Sequence, residues 1–301
     1  MNQNVIPKLG DSVSRHTPIY VRLNGIGIDI QSIVEVAEKY GDDHWVKCTE
    51  EGKQEKEYCE LSGIHIESWS DIGWTKLHRI IRHKLAPHKK MFRILTHTGM
   101  VEVTDDHSLL SLSGESITPK DVVIGTQLLH HKIEMYEGQI TMSQQEAWQI
   151  GFDMRLHLNT YCNYRGNFII PRDIMFGDYE IRKSFMEGLL GGDYAFGYTH
   201  PPPYTIYQWN QKSVSHLFWL ANSLGLNASI NIPKNEEFYV ITITNKRYGK
   251  NPNSIKKIEE IKKPQPYGWE YVYDLTTENH HFAAGGGNMI VNNTDLTFPE
   301  R

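Results

Sequence analysis

The chain has 301 residues, 39% of them hydrophobic, with 31 Lys and Arg against 36 Asp and Glu and a formal net charge of -5 when its 15 His are neutral. That is enough for two domains or one domain with a large insertion, and it excludes a uniformly basic nucleic-acid binder and low-complexity disorder. No apolar run approaches the roughly twenty residues that span a bilayer, so no membrane partner is expected. The opening MNQNVIPKLG has no apolar run of the kind a secretory leader needs. Cys48, Cys59 and Cys162 are too few and too scattered for a disulfide framework or a zinc knuckle, which predicts a reducing, cytoplasmic setting.

Residues 17–25, TPIYVRLNG, alternate and end in Asn24-Gly25, predicting a strand and a tight turn. Asp29 is placed to cap a short helix carrying Ile30, Ile33, Val34 and Ala37 on one face. Period two recurs in pieces over 61–84. The clearest hairpin is MFRILTHTGMVEVTDDHSLL, 91–110, with Gly99 at its turn. The polar SLSGES then leads to DVVIGTQLL at 121–129, closing an all-β opening. Helical spacing takes over in 142–158, 179–190 and 213–226. FYVITIT (238–244) and EYVYDLTT (270–277) read as strands, and GGGNMIVNN (285–293) as a Gly-rich turn feeding one more. The order is β, helical insert, β: one domain interrupted by another.

Chemistry-bearing residues sit at the two edges of the β part. Asn293 precedes Thr294, and an Asn amide can attack its own carbonyl, forming a succinimide and cutting the chain. A folded site speeds this by orientation and by donors to the developing oxyanion. Thr294 offers a hydroxyl as acyl acceptor. At the other edge, Asp11-Ser12 permits an N-to-O acyl shift, uphill unless the peptide nitrogen is protonated or the amide strained. The hairpin ends in Thr104-Asp105-Asp106-His107, a spacing that lets one tight turn carry both a hydroxyl and an imidazole.

With these residues in view, the sequence resembles an intein, the protein-splicing element of the Hint fold. SVSRHTPIYVRLNG (12–25) is similar to the N-terminal splicing block, and GMVEVTDDHSLL (99–110) to the block with T-x-x-H. YVYDLTTENHHFAAGG (271–286) is similar to the block with Asp and His before Phe, and MIVNN (289–293) followed by Thr294 to the C-terminal block. Gly10-Asp11 and Thr294-Asp295 resemble the GDTD part of the YGDTDS motif of family B DNA polymerases, a familiar insertion point.

The resemblance implies a mostly β, horseshoe-like Hint splicing domain interrupted by an α+β insert. Its expected divisions are an N-terminal flank at 1–11, splicing domain at 12–130 and 266–293, insert at 131–265 and a C-terminal flank at 294–301. It puts Ser12 in the role of first nucleophile, with Thr104 and His107 activating the Asp11-Ser12 peptide. Thr294 then takes the ester, and Asn293 cyclises with help from His280. Asp274 coordinates the early and middle steps, and an O-to-N shift joins the flanks. No cofactor is required. Asp274, His280 and His107 form a set on which Zn²⁺ would inhibit. The implied partner is the flanking host protein in cis, a DNA polymerase, and the implied location is wherever that polymerase works.

Two departures stand out. Asn292 occupies the place usually held by His, and Arg15-His16-Thr17 replaces Gly-Asp-Thr. With a Ser rather than a thiol nucleophile, these predict a slow reaction or a trapped precursor. The insert resembles a LAGLIDADG homing endonuclease. FMEGLLGGDY (185–194) is similar to its second motif, with Gly188 and Gly192 permitting close helix packing and Asp193 at the metal position. In WQIGFDMRLHL (148–158), Leu156 stands where the other acid belongs, and an apolar side chain cannot hold Mg²⁺. Residues 141–200 carry seven Asp and Glu against five Lys and Arg, whereas 231–263 carries eight Lys and Arg against four Asp and Glu. The expected picture is a shrunken endonuclease with its cleavage lost and weak DNA affinity through 231–263. The alternatives are a functional endonuclease, a passive DNA-binding module, and a hedgehog-type autoprocessor that would not need Asn-Thr at its end.

Overall fold

The computed structural model describes residues 12–293 apart from 26, 43, 50–54, 62–64, 108, 135–141, 161–168, 192–202, 235, 247–248 and 262–269. The first half is almost entirely strand: β1 Pro18–Leu23, β2 Gly27–Ser32, β3 Val46–Lys47, β4 Lys56–Glu60, β5 Ile66–Ser70, β6 Gly73–Lys84, β7 Met91–Leu95, β8 Gly99–Thr104, β9 Leu109–Leu110 and β10 Ser116–Ile117, with α1 Ile33–Tyr40 after β2. Helices α2 Gln144–Thr160, α3 Arg172–Met175, α4 Tyr179–Leu190 and α5 Gln211–Ser223 follow, with β11 Tyr204–Gln208 before α5. Then come β12 Asn227–Asn231, β13 Tyr239–Thr244, β14 Lys257–Ile261, β15 Tyr271–Thr277, β16 His281–Ala283, β17 Gly286–Gly287 and β18 Ile290–Asn292.

The β1–β2 turn is where the sequence places it, with Asn24 and Gly25 both left-handed at φ 50 and 71°. The first helix starts later than Asp29 suggests. Asp29 lies in β2, and Ser32 is the cap: its Oγ accepts from the Glu35 N–H while the Glu35 carboxylate accepts the Ser32 N–H at 2.8 Å. This reciprocal pair satisfies two otherwise orphaned donors and outcompetes the aspartate.

Three sheets build the β part. One runs β2-β1-β5-β6-β4-β3 with β15 also on β6, another β14-β7-β8-β17, and a third β10-β9-β18-β16. The twelve-residue β6 joins the two ends of the chain, pairing with β5 along its first half and with β4 and β15 along its second. Val13, Ile19, Ile80, Ile94, Val101, Phe282 and Val291 fill the core between them. The insert has its own three-stranded sheet, β11-β13-β12, and its Phe185, Met186, Val214, Phe218 and Ile241 share one core with Tyr20, Ile30, Met100 and Ile290 of the β part.

Helices α2 and α4 pack through reciprocal glycines. A Cβ on Gly151 would lie 2.1 Å from the Phe185 carbonyl oxygen, and one on Gly188 would lie 2.1 Å from that of Trp148. The expected close packing is therefore real, though its partner glycine is Gly151, and Gly192 lies outside the described residues. Helix α5 docks the insert on the β part. Ser215 donates to the Gly285 carbonyl at 3.1 Å, and Lys212 reaches the Glu35 carboxylate at 3.0 Å. β14 pairs antiparallel with β7, from Lys257↔Leu95 to Ile261↔Met91, because Ile258 completes the apolar face of that sheet. Two lysines of the basic 231–263 segment are turned inward, Lys256 Nζ to the Ile230 carbonyl and Lys257 Nζ to that of Ile232. Among the described residues no helix is long and apolar enough to cross a membrane.

Two histidines, His216 buried and His130 half-buried, make the fold acid-sensitive. Burial lowers His130 and His216 to about 4. His130 Nδ1 donates to the Leu128 carbonyl, and His216 Nε2 to that of Ile30. Both rings are held neutral, while in the unfolded chain they titrate near the ordinary histidine value. The unfolded state therefore binds more protons between about pH 6.5 and 4, so stability present above 6.5 is lost as the pH falls through that window. Each ring contributes about 2–3 kcal/mol over it. Denaturant titrations at pH 7 and pH 4.5 check this, and the midpoint is expected to fall at the lower pH by less in a His216→Gln chain.

Candidate splice site

Ser12 enters the fold as part of a very short strand between the middle of the molecule and its end. Val13 bridges Val103 on β8 and Tyr273 on β15. Its N–H donates to the Tyr273 carbonyl at 2.7 Å, and Ser14 N–H to Glu102 at 3.0 Å. Ser12 is fully buried. Its N–H donates to Thr104 Oγ1 at 3.2 Å, and its carbonyl accepts from the Thr104 N–H at 2.9 Å, so both main-chain groups of Ser12 are held by the last residue of β8. The following turn closes through His107 N–H on the Thr104 carbonyl at 3.0 Å, which ties the buried His107 to the residue that grips Ser12.

The sequence alone does not point to His83, near the end of β6. Its Nε2 lies 2.9 Å from Ser12 Oγ, and its Nδ1 lies 3.0 Å from the Lys84 carbonyl. A carbonyl only accepts, so the Nδ1 proton goes to Lys84 and Nε2 presents its lone pair to the serine hydroxyl. Burial holds this imidazole below the usual histidine range, with the Lys84 carbonyl opposing, Lys56 adding to the fall, and Asp106 and Glu55 resisting it.

Asn293 is held from the other end of β15. Its N–H donates to the His280 carbonyl at 2.8 Å and its Nδ2 to Thr277 Oγ1 at 2.9 Å. It is 2% exposed, and its Oδ1 accepts no hydrogen bond among the described residues. His280 takes a left-handed conformation, φ 62°, in the turn between β15 and β16, and this aims its carbonyl at Asn293. Asn292 is in β18 opposite His281, whose Nδ1 lies 2.9 Å from Asp71. Asp274 is buried one residue beyond Tyr273, its Oδ1 accepting the Leu275 N–H at 2.8 Å. A single strand and turn thus reach both edges: Tyr273 at the Ser12 side, Thr277 and His280 at the Asn293 side.

No protein-family model matches the chain. It is 32% identical, over 364 residues and 96% of its own length, to a DNA polymerase of Acanthamoeba polyphaga mimivirus, of which it spans 21%. The matched stretch is longer in that polymerase than this whole chain. Shorter matches cover 39% of the chain at 34% identity to a DNA polymerase of Thermococcus litoralis and 42% at 30% identity to a transcription initiation factor IIB of Methanocaldococcus jannaschii, which are 6% and 19% of those proteins. Among solved structures, a transcription factor IIB Mvu mini-intein overlaps 94% of this chain and all of its own, at 16% identity and a TM-score of 0.43. The Pab PolII intein overlaps 93% of this chain and 99% of its own, at 13% and 0.44. Several antiparallel sheets interrupted by a helical cluster with its own small sheet match a Hint-like fold with an α+β insertion.

The structure gathers Ser12, Thr104 and the turn carrying His107 at one edge and His280, Asn292 and Asn293 at the other, with Asp274 in β15 next to Tyr273. Thr294 and Asp193 lie outside the described residues. The expected Zn²⁺ set of Asp274, His280 and His107 is not assembled: among the described residues no three metal-ligating side chains come together. His107 belongs to the turn after β8 and His280 to the turn after β15, so each histidine follows its own edge of the splice. Besides His83, sequence reasoning missed Thr277, a strand threonine with no local mark of its task.

Proposed function

We propose that this chain excises itself from a host protein and joins the flanks. Ser12 Oγ attacks the Asp11 carbonyl carbon, the C–N bond of the Asp11-Ser12 peptide breaks, and the Ser12 nitrogen receives a proton from His107. Thr104 holds that nitrogen in place. The Thr294 hydroxyl takes over the acyl group, Asn293 cyclises through Nδ2 and breaks its bond to Thr294, and an O-to-N shift leaves an ordinary Asp11-Thr294 peptide. Asp274 serves the early and middle steps, while His280 and Asn292 flank the cyclising amide. Each chain reacts once.

One observation carries this reading above the others: Ser12 and Asn293, 281 positions apart, are both buried, and one end of the β15 segment pairs with Val13 beside Ser12 while the other end, with the turn after it, holds Asn293. The spread of matches adds to it. A chain that matches parts of both a DNA polymerase and a transcription initiation factor behaves as an inserted element, not as the catalytic sequence of either host. The host that fits is a family B DNA polymerase carrying the chain in cis, and the place of action is where that host is made. The insert, 131–265, is the reduced endonuclease region, and its DNA affinity through 231–263 is weak at most, since Lys256 and Lys257 face carbonyls. Nothing among the described residues favours DNA cleavage, with Leu156 in α2 half exposed at 49%.

The test places the chain between larger tagged flanks and follows intact mass over a day. A joined-flank product together with a free element starting at Ser12 and ending in a succinimide is the expected result. A precursor that stays whole, and that releases no flank with hydroxylamine, overturns the reading.

A further inference from the structure

We infer that His83 is the general base for the first step, taking the proton from Ser12 Oγ as that oxygen attacks the Asp11 carbonyl. The inference rests on the splicing reading above and adds to it a catalytic residue, since His83 touches the reacting atom. Three observations meet at this ring. Nε2 is 2.9 Å from Ser12 Oγ, within the reach a general base needs. Nδ1 is committed to the Lys84 carbonyl, which leaves the lone pair on the nitrogen that faces the serine. Ser12 itself is fully buried and its backbone is held on both sides by Thr104, so its hydroxyl has a fixed direction and little access to water as an alternative base.

The step balances without an added reagent. The Oγ–H bond breaks and its proton goes to His83 Nε2, the new bond is Oγ to the Asp11 carbonyl carbon, and the bond lost is that carbon to the Ser12 nitrogen. The nitrogen takes a proton from His107, so one imidazole gains what the other gives. A division of labour results: β6 supplies the base and the turn after β8 supplies the acid. A serine nucleophile needs such a base because its hydroxyl does not ionise near neutrality, whereas a cysteine at the same place ionises near pH 8.5 by itself.

That difference makes the test. In a chain carrying Asn293→Ala and Thr294→Ala, so that only the first step remains, hydroxylamine release of the N-terminal flank reads ester formation. His83→Ala is expected to slow it about a hundredfold with Ser12 present. In the Ser12→Cys chain at pH 8.5 the same substitution is expected to lower thioester formation by no more than about fivefold, because the thiolate forms without help. Equal losses in the two backgrounds would mean that His83 only holds the fold and would overturn the inference, as would an unchanged rate with Ser12. Ser12→Ala is the reference for the underlying reading. If the His83 chain releases no more flank than Ser12→Ala, splicing itself falls and the base with it; if it does release flank and His83→Ala is as fast, the base alone falls.

Discussion

Replacing Asn293 by Ala is expected to abolish release of the C-terminal flank while leaving ester formation at Ser12 intact. The substitution removes Nδ2, the only atom able to close the succinimide, so the C-terminal cut is expected to fall below detection, beyond about a thousandfold, and branched or N-terminally cleaved chains accumulate. The N–H of residue 293 still donates to the His280 carbonyl, so the backbone keeps its place. Thr277→Val gives the graded version. It leaves Asn293 and its nucleophile present but removes the oxygen that Nδ2 donates to at 2.9 Å. An amide freed to rotate reaches its own carbonyl less often in the right geometry, and the C-terminal step is expected to slow about tenfold to a hundredfold. Intact-mass time courses separate the two: the alanine chain shows no succinimide-ended element, the valine chain shows it late. A Thr277→Val chain releasing its C-terminal flank at the parent rate would remove Thr277 from the site.

Gly285→Ala is expected to unfold the splicing domain, with a loss of about 4 kcal/mol or more in denaturant titration. Residue 285 sits at φ +80°, and a Cβ there would lie 1.9 Å from the Met100 carbonyl oxygen and 3.1 Å from the Val101 Cα. The left-handed conformation alone costs an alanine about 1–2 kcal/mol. The collision is with backbone of β8, which cannot move without pulling Thr104 and the Ser12 strand with it. The same glycine donates its N–H to the Pro18 carbonyl at 2.9 Å and accepts from Ser215 of α5 at 3.1 Å, so it ties β1, β8 and the insert at one point. Gly114→Ala is the matched comparison. It has a similar φ of +83° but open space where the Cβ would go, and about 1–2 kcal/mol is the whole expected loss there. Equal losses at the two positions would show that conformation, not the approach of β8, sets the requirement.

Where chemistry and structure are decided by neighbours in the chain, the sequence by itself determined them. The reactive edges are of this kind, Ser12 after a carbonyl and Asn293 before Thr294, as is the Thr104 to His107 turn. Helix α4 runs over residues 179–190 as its pattern predicts, because Asp178 caps its start and Gly191, left-handed at φ 96°, ends it. The Gly99 hairpin and the Asn24-Gly25 turn are equally local. The choice of Ser32 over Asp29 at α1 was already open to reading, since Ser-x-x-Glu is a local signal in its own right. What only the tertiary structure decided is which strand lies beside which. β14 leaves the insert for β7, Thr277 comes to hold Asn293, and His83 comes within reach of a serine 71 positions earlier. Alternation with period two tells which face of a strand is buried but not which strand pairs next to it or in what register, and those pairings are settled by contacts far apart in the chain. Residues whose task depends on such a partner therefore carry no local mark, and the base and the amide holder of this site are both of that kind.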